Sequence, residues 1–195
     1  MNPYLRMPNI LKETSDGFTR YSIQEEMLMR REIDCIGEIT QEYVYLLILQ
    51  LRYLQTIEPE KEITIYINSQ GGEVTSGLAL YDVMKAIKSP IRTVCIGQAS
   101  SMGALLFVSG NKREMLPHAR VMVHDPRVER IGGTALEIEE RSKGIMRVRK
   151  LTAAIIAEYT GKTLDEILDK TATDSFFNAK EAIDFGIADS IIERM

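Results

Sequence analysis

Two consecutive stretches of the chain share one design, and that design restricts the fold more than any other feature. In each, a run rich in β-branched residues ends in small residues and glycine, and a helical pattern follows. The first is EITIYINSQGGEVTSGLALYDVMKAIKSP, and the second is IRTVCIGQASSMGALLFVSG. Strand–turn–helix units in series form parallel sheets with helices packed on them. The sequence therefore predicts an α/β fold with a mainly parallel sheet.

The rest of the chain continues this alternation. IDCIGEI and ARVMVHD are predicted to be strands, and a helix is predicted to begin near Thr40 and to stop before Pro59. Because this helix is apolar nearly all round, we expect it to be buried. One long helical pattern runs from Thr134 to Tyr159, and the segments TLDE and NAKE have the form of capping boxes that open two further helices.

Composition and charge argue against nucleic acid and membranes as partners. The net charge of −4 and the isoelectric point near 5.4 give no basic surface for an anionic partner. No uncharged apolar run is long enough to span a bilayer. Cys35 and Cys95 each lie in an apolar, strand-like run, which predicts buried free thiols rather than a disulfide. Free thiols fit a reducing compartment, so we expect a cytoplasmic protein.

The N-terminal segment is predicted to stand apart from the rest. It lacks the apolar core of a signal peptide and is interrupted by Pro3 and Pro8. Residues 1–20 are mixed in character and contain turn-forming residues, so we expect a mobile segment there. Residues 21–195 are then expected to form a single domain.

Two junctions between a strand and a helix are the best candidates for chemistry, INSQGGEV and IGQASSMGA. Helix N-termini offer unpaired amide hydrogens and a partial positive charge, and glycine allows another backbone to come close. Ser100 and Ser101 in the second junction fit either a helix N-cap or a nucleophile. The glycine pair of the first junction fits neither a phosphate-binding loop nor a dinucleotide fingerprint. No cofactor and no metal is predicted.

A nucleophilic serine needs a base, and the chain has only two histidines. His118 follows a proline and is expected in an exposed turn, whereas His124 ends a predicted strand, where a rigid sheet can aim an imidazole. A third group must orient the histidine. Asp125 is adjacent, but successive strand residues point to opposite faces, and spacing alone does not choose among the other carboxylates.

Four ordered blocks resemble the ClpP family, the caseinolytic serine peptidases of ATP-dependent proteolytic complexes. They are INSQGGEVTSGLALYDVM, IGQASSMGALL, LPHARVMVHDP and the stretch from TGKTLDEI to FFNAKEAIDFGIADSI. The resemblance runs from about Thr14 to the C-terminus. It implies a crotonase-like spiral of βαβ units with a protruding long-helix handle at about 126–160. It also implies seven-membered rings, stacked as a tetradecamer and fed by an AAA+ Clp ATPase.

The resemblance also assigns site residues by position. The serine before Met-Gly is the family's nucleophile, here Ser101, the base matches His124, and the acid matches Asp174. The oxyanion hole matches the backbone amides of Gly72 and Met102, one from each junction. Ser100 then has a packing role.

Several positions depart from the family pattern and indicate a divergent member or paralogue. Gln70 replaces the proline of Asn-Ser-Pro-Gly-Gly, and Asp125 replaces the glutamine of His-Gln-Pro. Ala172 and Thr173 stand where the family often has an acidic residue and an arginine that bridge the two rings. Thr64 matches an aromatic position of the family's ATPase-docking pocket.

Three functions therefore compete. The first is a serine endopeptidase subunit of an ATP-dependent Clp-type protease, which hydrolyses peptide bonds of unfolded proteins inside a ring-shaped chamber. The second is a weakly active or regulatory subunit of a mixed complex with a second ClpP paralogue. The third is a crotonase-fold enzyme that acts on acyl-CoA thioesters. The presence of Ser101, His124 and Asp174 together favours the first, and no basic cluster for CoA supports the third.

Overall fold

The computed structural model describes residues 8–15, 17–128 and 130–194. Its helices are α1 (Ile23–Met29), α2 (Gln41–Ile57), α3 (Val74–Ala86), α4 (Met102–Val108), α5 (Ala135–Thr160), α6 (Leu164–Thr171) and α7 (Ala179–Phe185). Its strands are β1 (Asn9–Thr14), β2 (Gly17–Ser22), β3 (Glu32–Ile39), β4 (Ile63–Gly72), β5 (Ile91–Ser100), β6 (Lys112–Met115), β7 (Arg120–Val123), β8 (Ser175–Asn178) and β9 (Ser190–Ile191).

The main sheet is mostly parallel, which confirms the predicted α/β class. β3, β4, β5, β6 and β9 lie side by side in that order, and all four pairings are parallel. β7 also pairs with β5 in parallel, and β8 pairs with β7 antiparallel. The strands therefore form a sheet that branches at β5, and the branch carries β7 and β8.

The two glycine-containing junctions are less turn-like than their sequences suggest. The segment SQGG, which the sequence marks as a turn, belongs to β4 because Gly71 and Gly72 pair with Glu38 and Ile39 of β3. β5 likewise continues to Ser100. The last residues of β4 and β5 therefore lie directly before the N-termini of α3 and α4.

The N-terminal residues include a hairpin, in which β1 pairs antiparallel with β2 from Asn9↔Ser22 to Thr14↔Gly17. The predicted mobile segment, residues 1–20, falls partly on this hairpin, and residues 1–7 and 16 lie outside the described residues. Its mobility stays a prediction. Both cysteines, Cys35 on β3 and Cys95 on β5, are free and buried, as predicted.

The helix α2 is only half buried, which corrects the expectation that it would be buried all round. Val44, Leu47, Leu51 and Leu54 pack in the core. The other side exposes large apolar side chains to solvent: Tyr45 by 62%, Leu46 by 54%, Leu49 by 40% and Tyr53 by 56%. The sequence pattern correctly predicts that α2 is apolar on nearly all sides. The rest of the chain, however, covers only one of its faces.

The long helix α5 agrees with the predicted handle. It begins after the N-cap Thr134, which forms a capping box with Glu137, and ends at Gly161 in a left-handed conformation. Residues 131–143 are exposed throughout the described positions, and the buried residues Ala153, Ile155 and Ile156 lie near its C-terminal end. The N-terminal half therefore projects from the body of the chain, with Leu136 exposed by 75%.

A buried carboxylate ties the edge of the main sheet together. Glu114 of β6 is 3% exposed, and its Oε2 accepts a hydrogen bond of 2.6 Å from Arg92 Nε on β5. Lys112 Nζ lies 2.7 Å from the other oxygen. Burial alone raises the pKa of Glu114, but the hydrogen bonds from Lys112 and Arg92 outweigh it, so the pKa lies below its ordinary value of 4.5.

Replacing Glu114 with glutamine is expected to lower the free energy of unfolding at neutral pH by about 2 kcal/mol, because two cations lose a buried partner. A carboxylate with a lowered pKa stabilises the fold above its ordinary pKa, and this contribution disappears as the pH falls through the lowered value. The difference between wild type and Glu114→Gln should therefore shrink below the ordinary value of 4.5. Urea denaturation at several pH values measures it.

The matched control is Glu139→Gln, which alters an exposed pair with Lys143 on α5. It should change the free energy of unfolding by less than about 0.5 kcal/mol. A Glu114→Gln protein as stable as this control at neutral pH would contradict the role given to the buried carboxylate.

Candidate active site

Strand β5 has two successive partners along one edge, and this brings the predicted site residues together. Its first half pairs with β6 through Arg92 to Cys95, and its end pairs with β7 through Gln98 to Ser100. The amide of Ser101 then donates a hydrogen bond of 2.9 Å to the carbonyl of Met122 on β7. The end of β7 therefore lies beside the strand-to-helix turn that carries Ser101.

The antiparallel pairing of β7 with β8 brings the predicted acid to the predicted base. The described register ends at Val123↔Ser175, and one further step along both chains places His124 opposite Asp174. The distance from His124 Nδ1 to Asp174 Oδ1 is 3.3 Å. Sequence spacing did not choose this carboxylate, whereas the strand register brings it to the imidazole.

Ser101 has an unusual backbone conformation. Its φ of 55° and ψ of −122° lie outside the regions that a non-glycine residue ordinarily adopts, at the N-cap position of α4. Its side chain makes no capping hydrogen bond, so the simple N-cap interpretation of this serine does not describe it. Such a conformation costs about 1–3 kcal/mol and is concentrated at functional sites. Ser100, by contrast, is the last residue of β5 and is buried.

The two glycine-containing junctions touch each other at Gly71. A Cβ atom built on Gly71 would lie 2.7 Å from Ser101 Cβ, 2.8 Å from the carbonyl oxygen of Ser100 and 3.2 Å from the amide nitrogen of Met102. Gly71 also has φ of +97°, which disfavours any side chain. Only glycine allows this approach, so the amide end of α4 and the end of β4 face one small region.

The turn at the end of β4 is held by the Ser69 side chain. Its hydroxyl donates a hydrogen bond of 2.6 Å to the carbonyl of Gly37 and accepts one of 3.0 Å from the amide of Gly71. Gly72 follows with φ of +155°, packed so closely on Ile39 that a Cβ would lie 2.2 Å from that residue's carbonyl oxygen. The segment is therefore fixed although Gln70 stands where the resembled family has proline.

Ser101 and His124 line one small cavity of about 30 Å³. Such a volume holds roughly one water-sized group. The rest of the lining is mainly apolar, from Val74, Met102, Leu105, Val123, Pro126, Thr152, Ile156 and Thr171. An apolar lining excludes water and strengthens electrostatic interactions between the groups that remain.

Asp174 has a second partner that the sequence analysis did not identify. Arg127 Nη2 donates a hydrogen bond of 2.5 Å to Asp174 Oδ1, the same oxygen that faces His124. The buried His124 Nδ1 has no aligned hydrogen-bond partner among the described residues. In this structure the guanidinium therefore bonds to that oxygen, whereas the imidazole lies 3.3 Å from it without an aligned hydrogen bond. No sequence signal distinguishes Arg127 from the other basic residues nearby.

The structure also places the remaining candidates, and β7 ends at Val123, before His124 and Asp125. His118 is exposed in the turn between β6 and β7. The Asp125 side chain bonds to Arg149 and Thr171 and not to His124. Met102 is the first residue of α4, so its amide is one of the N-terminal amides that lack a partner within the helix.

Two further kinds of site are absent from the described part of the chain. Among residues 8–15, 17–128 and 130–194, no cluster of three or more His, Cys, Asp or Glu side chains has an arrangement suited to a metal ion. Across these same ranges, no helix has the length and apolar character needed to cross a membrane.

Comparison with known protein families gives a match that covers almost the whole chain. The model of a family described as Clp protease matches residues 15–195 of the 195 residues. The matched region contains both glycine-containing junctions, the β7–β8 branch and the helix α5.

The contact at Gly71 makes a testable prediction about the packing of the site. Replacing Gly71 with alanine is expected to lower the free energy of unfolding by about 2–4 kcal/mol, because it combines a disfavoured φ with a clash against backbone. Gly132→Ala is the control, since a Cβ there meets nothing within 4 Å. Thermal and chemical denaturation measure both. Equal stability of the two variants would mean that the junctions are not in contact.

Proposed function

The chain belongs to the Clp protease family, and we propose on that basis that it is a serine endopeptidase subunit of an ATP-dependent Clp-type protease. Its substrates are unfolded proteins, which it cleaves inside a ring-shaped chamber. The observation that carries the proposal is the strained Ser101, which makes no capping bond and shares a small cavity with His124. A serine held this way presents its hydroxyl instead of using it locally.

In the proposed mechanism, Ser101 Oγ attacks the carbonyl carbon of the scissile peptide bond while His124 takes the hydroxyl proton. His124 then gives this proton to the leaving amine, and a water molecule hydrolyses the acyl-enzyme with the same base. Asp174 orients the imidazole through Nδ1. The backbone amides of Gly72 and Met102 stabilise the oxyanion, and the loss of one such donor typically costs ~10²–10³ in rate.

The proposed assembly follows from two apolar surfaces that a single chain leaves open. One is the exposed side of α2, beside an open groove of about 950 Å³ between α2 and α3. The other is the projecting half of α5, with Leu136, Ile138 and Met146 exposed. Burying a large apolar side chain contributes roughly 1.5–3 kcal/mol. We assign the first surface to contacts within a heptameric ring and the second to contacts between two rings of a tetradecamer.

The proposed partner is an AAA+ Clp ATPase, because the sequence contains no phosphate-binding loop of its own with which to drive unfolding. A cytoplasmic location, no nucleic acid and no membrane partner complete the proposal. Neither a cofactor nor a metal enters the mechanism.

A specific observation also favours the second candidate, a weakly active or regulatory subunit that works with a ClpP paralogue. The carboxylate oxygen that should orient His124 is held by Arg127. In addition, Ala172 and Thr173 lack the charges that the resembled family uses between rings. In this version, the isolated protein hydrolyses peptides slowly until contact with a partner ring aligns Asp174.

The first prediction from this function concerns the nucleophile. A fluorophosphonate probe is expected to label wild-type protein and Ser100→Ala but not Ser101→Ala, because only Ser101 adopts the strained turn. Loss of the nucleophile should reduce hydrolysis of a fluorogenic peptide by several orders of magnitude, to roughly 10⁻⁴ or less of the wild-type rate. His124→Ala should lose hydrolysis and the exposed His118→Ala should keep it. Labelling that depends on Ser100 and survives in Ser101→Ala would refute the assignment.

A second prediction concerns assembly through α5. Wild-type protein is expected to sediment as single rings in equilibrium with double rings, because the contact is apolar and lacks the inter-ring charges. Ile138→Glu should shift this equilibrium toward single rings, since it puts a charge into an apolar contact. Glu140→Ala on another side of the helix is the control. A concentration-independent double ring in Ile138→Glu would rule out this surface as the ring–ring contact.

A further inference from the structure

Asp125 makes contacts that no part of the proposed mechanism uses. It follows His124 directly, its side chain is partly buried, and it is not among the residues that line the cavity of Ser101. We propose that Asp125 is a positioning residue, which fixes the spacing between His124 and Asp174 from the side opposite the β7–β8 ladder. This inference rests on the proposed serine peptidase function.

The first part of the argument is a two-way connection between Asp125 and Thr171. The amide of Asp125 donates a hydrogen bond of 2.7 Å to the carbonyl of Thr171. The hydroxyl of Thr171, a residue that is 3% exposed, donates one of 2.8 Å back to Asp125 Oδ1. Backbone and side chain thus join the same two residues, which leaves little freedom for one to move without the other.

The second part is an arginine that reaches the same carboxylate from the long helix. Arg149 of α5 donates a hydrogen bond of 2.5 Å from Nε to Asp125 Oδ2. Its Nη2 donates another of 3.0 Å to the carbonyl of Leu168, near the end of α6. Asp125 therefore joins three elements, namely the end of β7, the C-terminal turn of α6 and the middle of α5. Charge-assisted bonds of this kind are about twice as strong as neutral ones.

The third part is where this connection lies along the chain. The β7–β8 ladder ends at Val123↔Ser175, so it supports His124 and Asp174 from one side only. On the other side, Asp125 bonds to Thr171 rather than to the residue that a continued ladder would offer. The short segment from Thr171 to Asp174 is therefore anchored at both ends, and the same anchor holds the residue after His124. The relative position of base and acid depends on it.

A small displacement at this place has a large effect on rate. Misplacement of a catalytic group by about 1 Å can cost roughly 10²-fold in rate. The imidazole and carboxylate of this structure lie 3.3 Å apart without an aligned hydrogen bond, so they have no strong bond of their own to restore the geometry. Loss of the Asp125 carboxylate should therefore reduce kcat while substrate binding is retained.

The test compares peptide hydrolysis by full-length, assembled wild type, Asp125→Ala, Asp125→Asn and Arg149→Leu. Asp125→Ala is expected to lower kcat by about 30–100-fold with KM within about twofold, since alignment and not binding is lost. Asp125→Asn keeps an oxygen for Thr171 and loses only the charge for Arg149, so it should recover most of this loss. Arg149→Leu should lower kcat in the wild-type background but add little to Asp125→Ala. Asp184→Ala, in an exposed pair with Lys180, is the control and should match wild type.

The outcomes separate this inference from the function on which it rests. If hydrolysis is unaffected by Ser101→Ala, the peptidase proposal is wrong and the inference fails with it. If hydrolysis depends on Ser101 but Asp125→Ala keeps wild-type kcat, the positioning role alone is wrong. A third outcome is a fall in kcat that only parallels a loss of folded protein measured by circular dichroism, with Asp125→Asn no more active than Asp125→Ala. Asp125 would then have a purely structural role, and the inference would be wrong.

Discussion

The pairing of β5 with two successive partners along one edge is the constraint on which the rest of the site depends. After pairing with β6, the strand turns to β7, and the hydrogen bond from the Ser101 amide to the Met122 carbonyl continues this second pairing into the turn. β8 pairs with β7 in turn, which places Asp174 near His124. Three residues far apart in sequence, Ser101, His124 and Asp174, converge because backbone hydrogen bonds set the register of the strands that carry them.

The sequence predicts those parts of the fold that depend on patterns of residues close together in the chain. Strand–glycine–helix units predict the parallel sheet, and capping boxes at Thr163 and Asn178 mark the starts of α6 and α7 correctly. The long helix follows its pattern to within a residue at each end, from Ala135 to Thr160. Local rules suffice there because the deciding hydrogen bonds join residues three or four apart.

Other features escape the sequence because they depend on distant residues. β8 has only four residues, which is too short for a periodic sequence pattern to be recognised, and it is held by its pairing with β7. The close contact between Ser101 and Gly71 joins residues of two different strand ends, so no local pattern shows it. The apolar side of α2 looks buried in sequence, yet the chain covers only half of it. Arg127 looks like any surface arginine until the fold places Asp174 beside it.

The pair formed by Arg127 and Asp174 makes the site sensitive to the solution around it. The Arg127 side chain is 68% exposed and that of Asp174 36%, so their attraction acts largely through water and is worth at most about 1 kcal/mol. Dissolved ions weaken such attractions over a Debye length of about 8–10 Å at physiological salt. The His124 side chain is 12% exposed and is shielded from those ions. Rising ionic strength is therefore expected to weaken the exposed Arg127–Asp174 pair, whereas the contact of Asp174 with the shielded His124 is less affected.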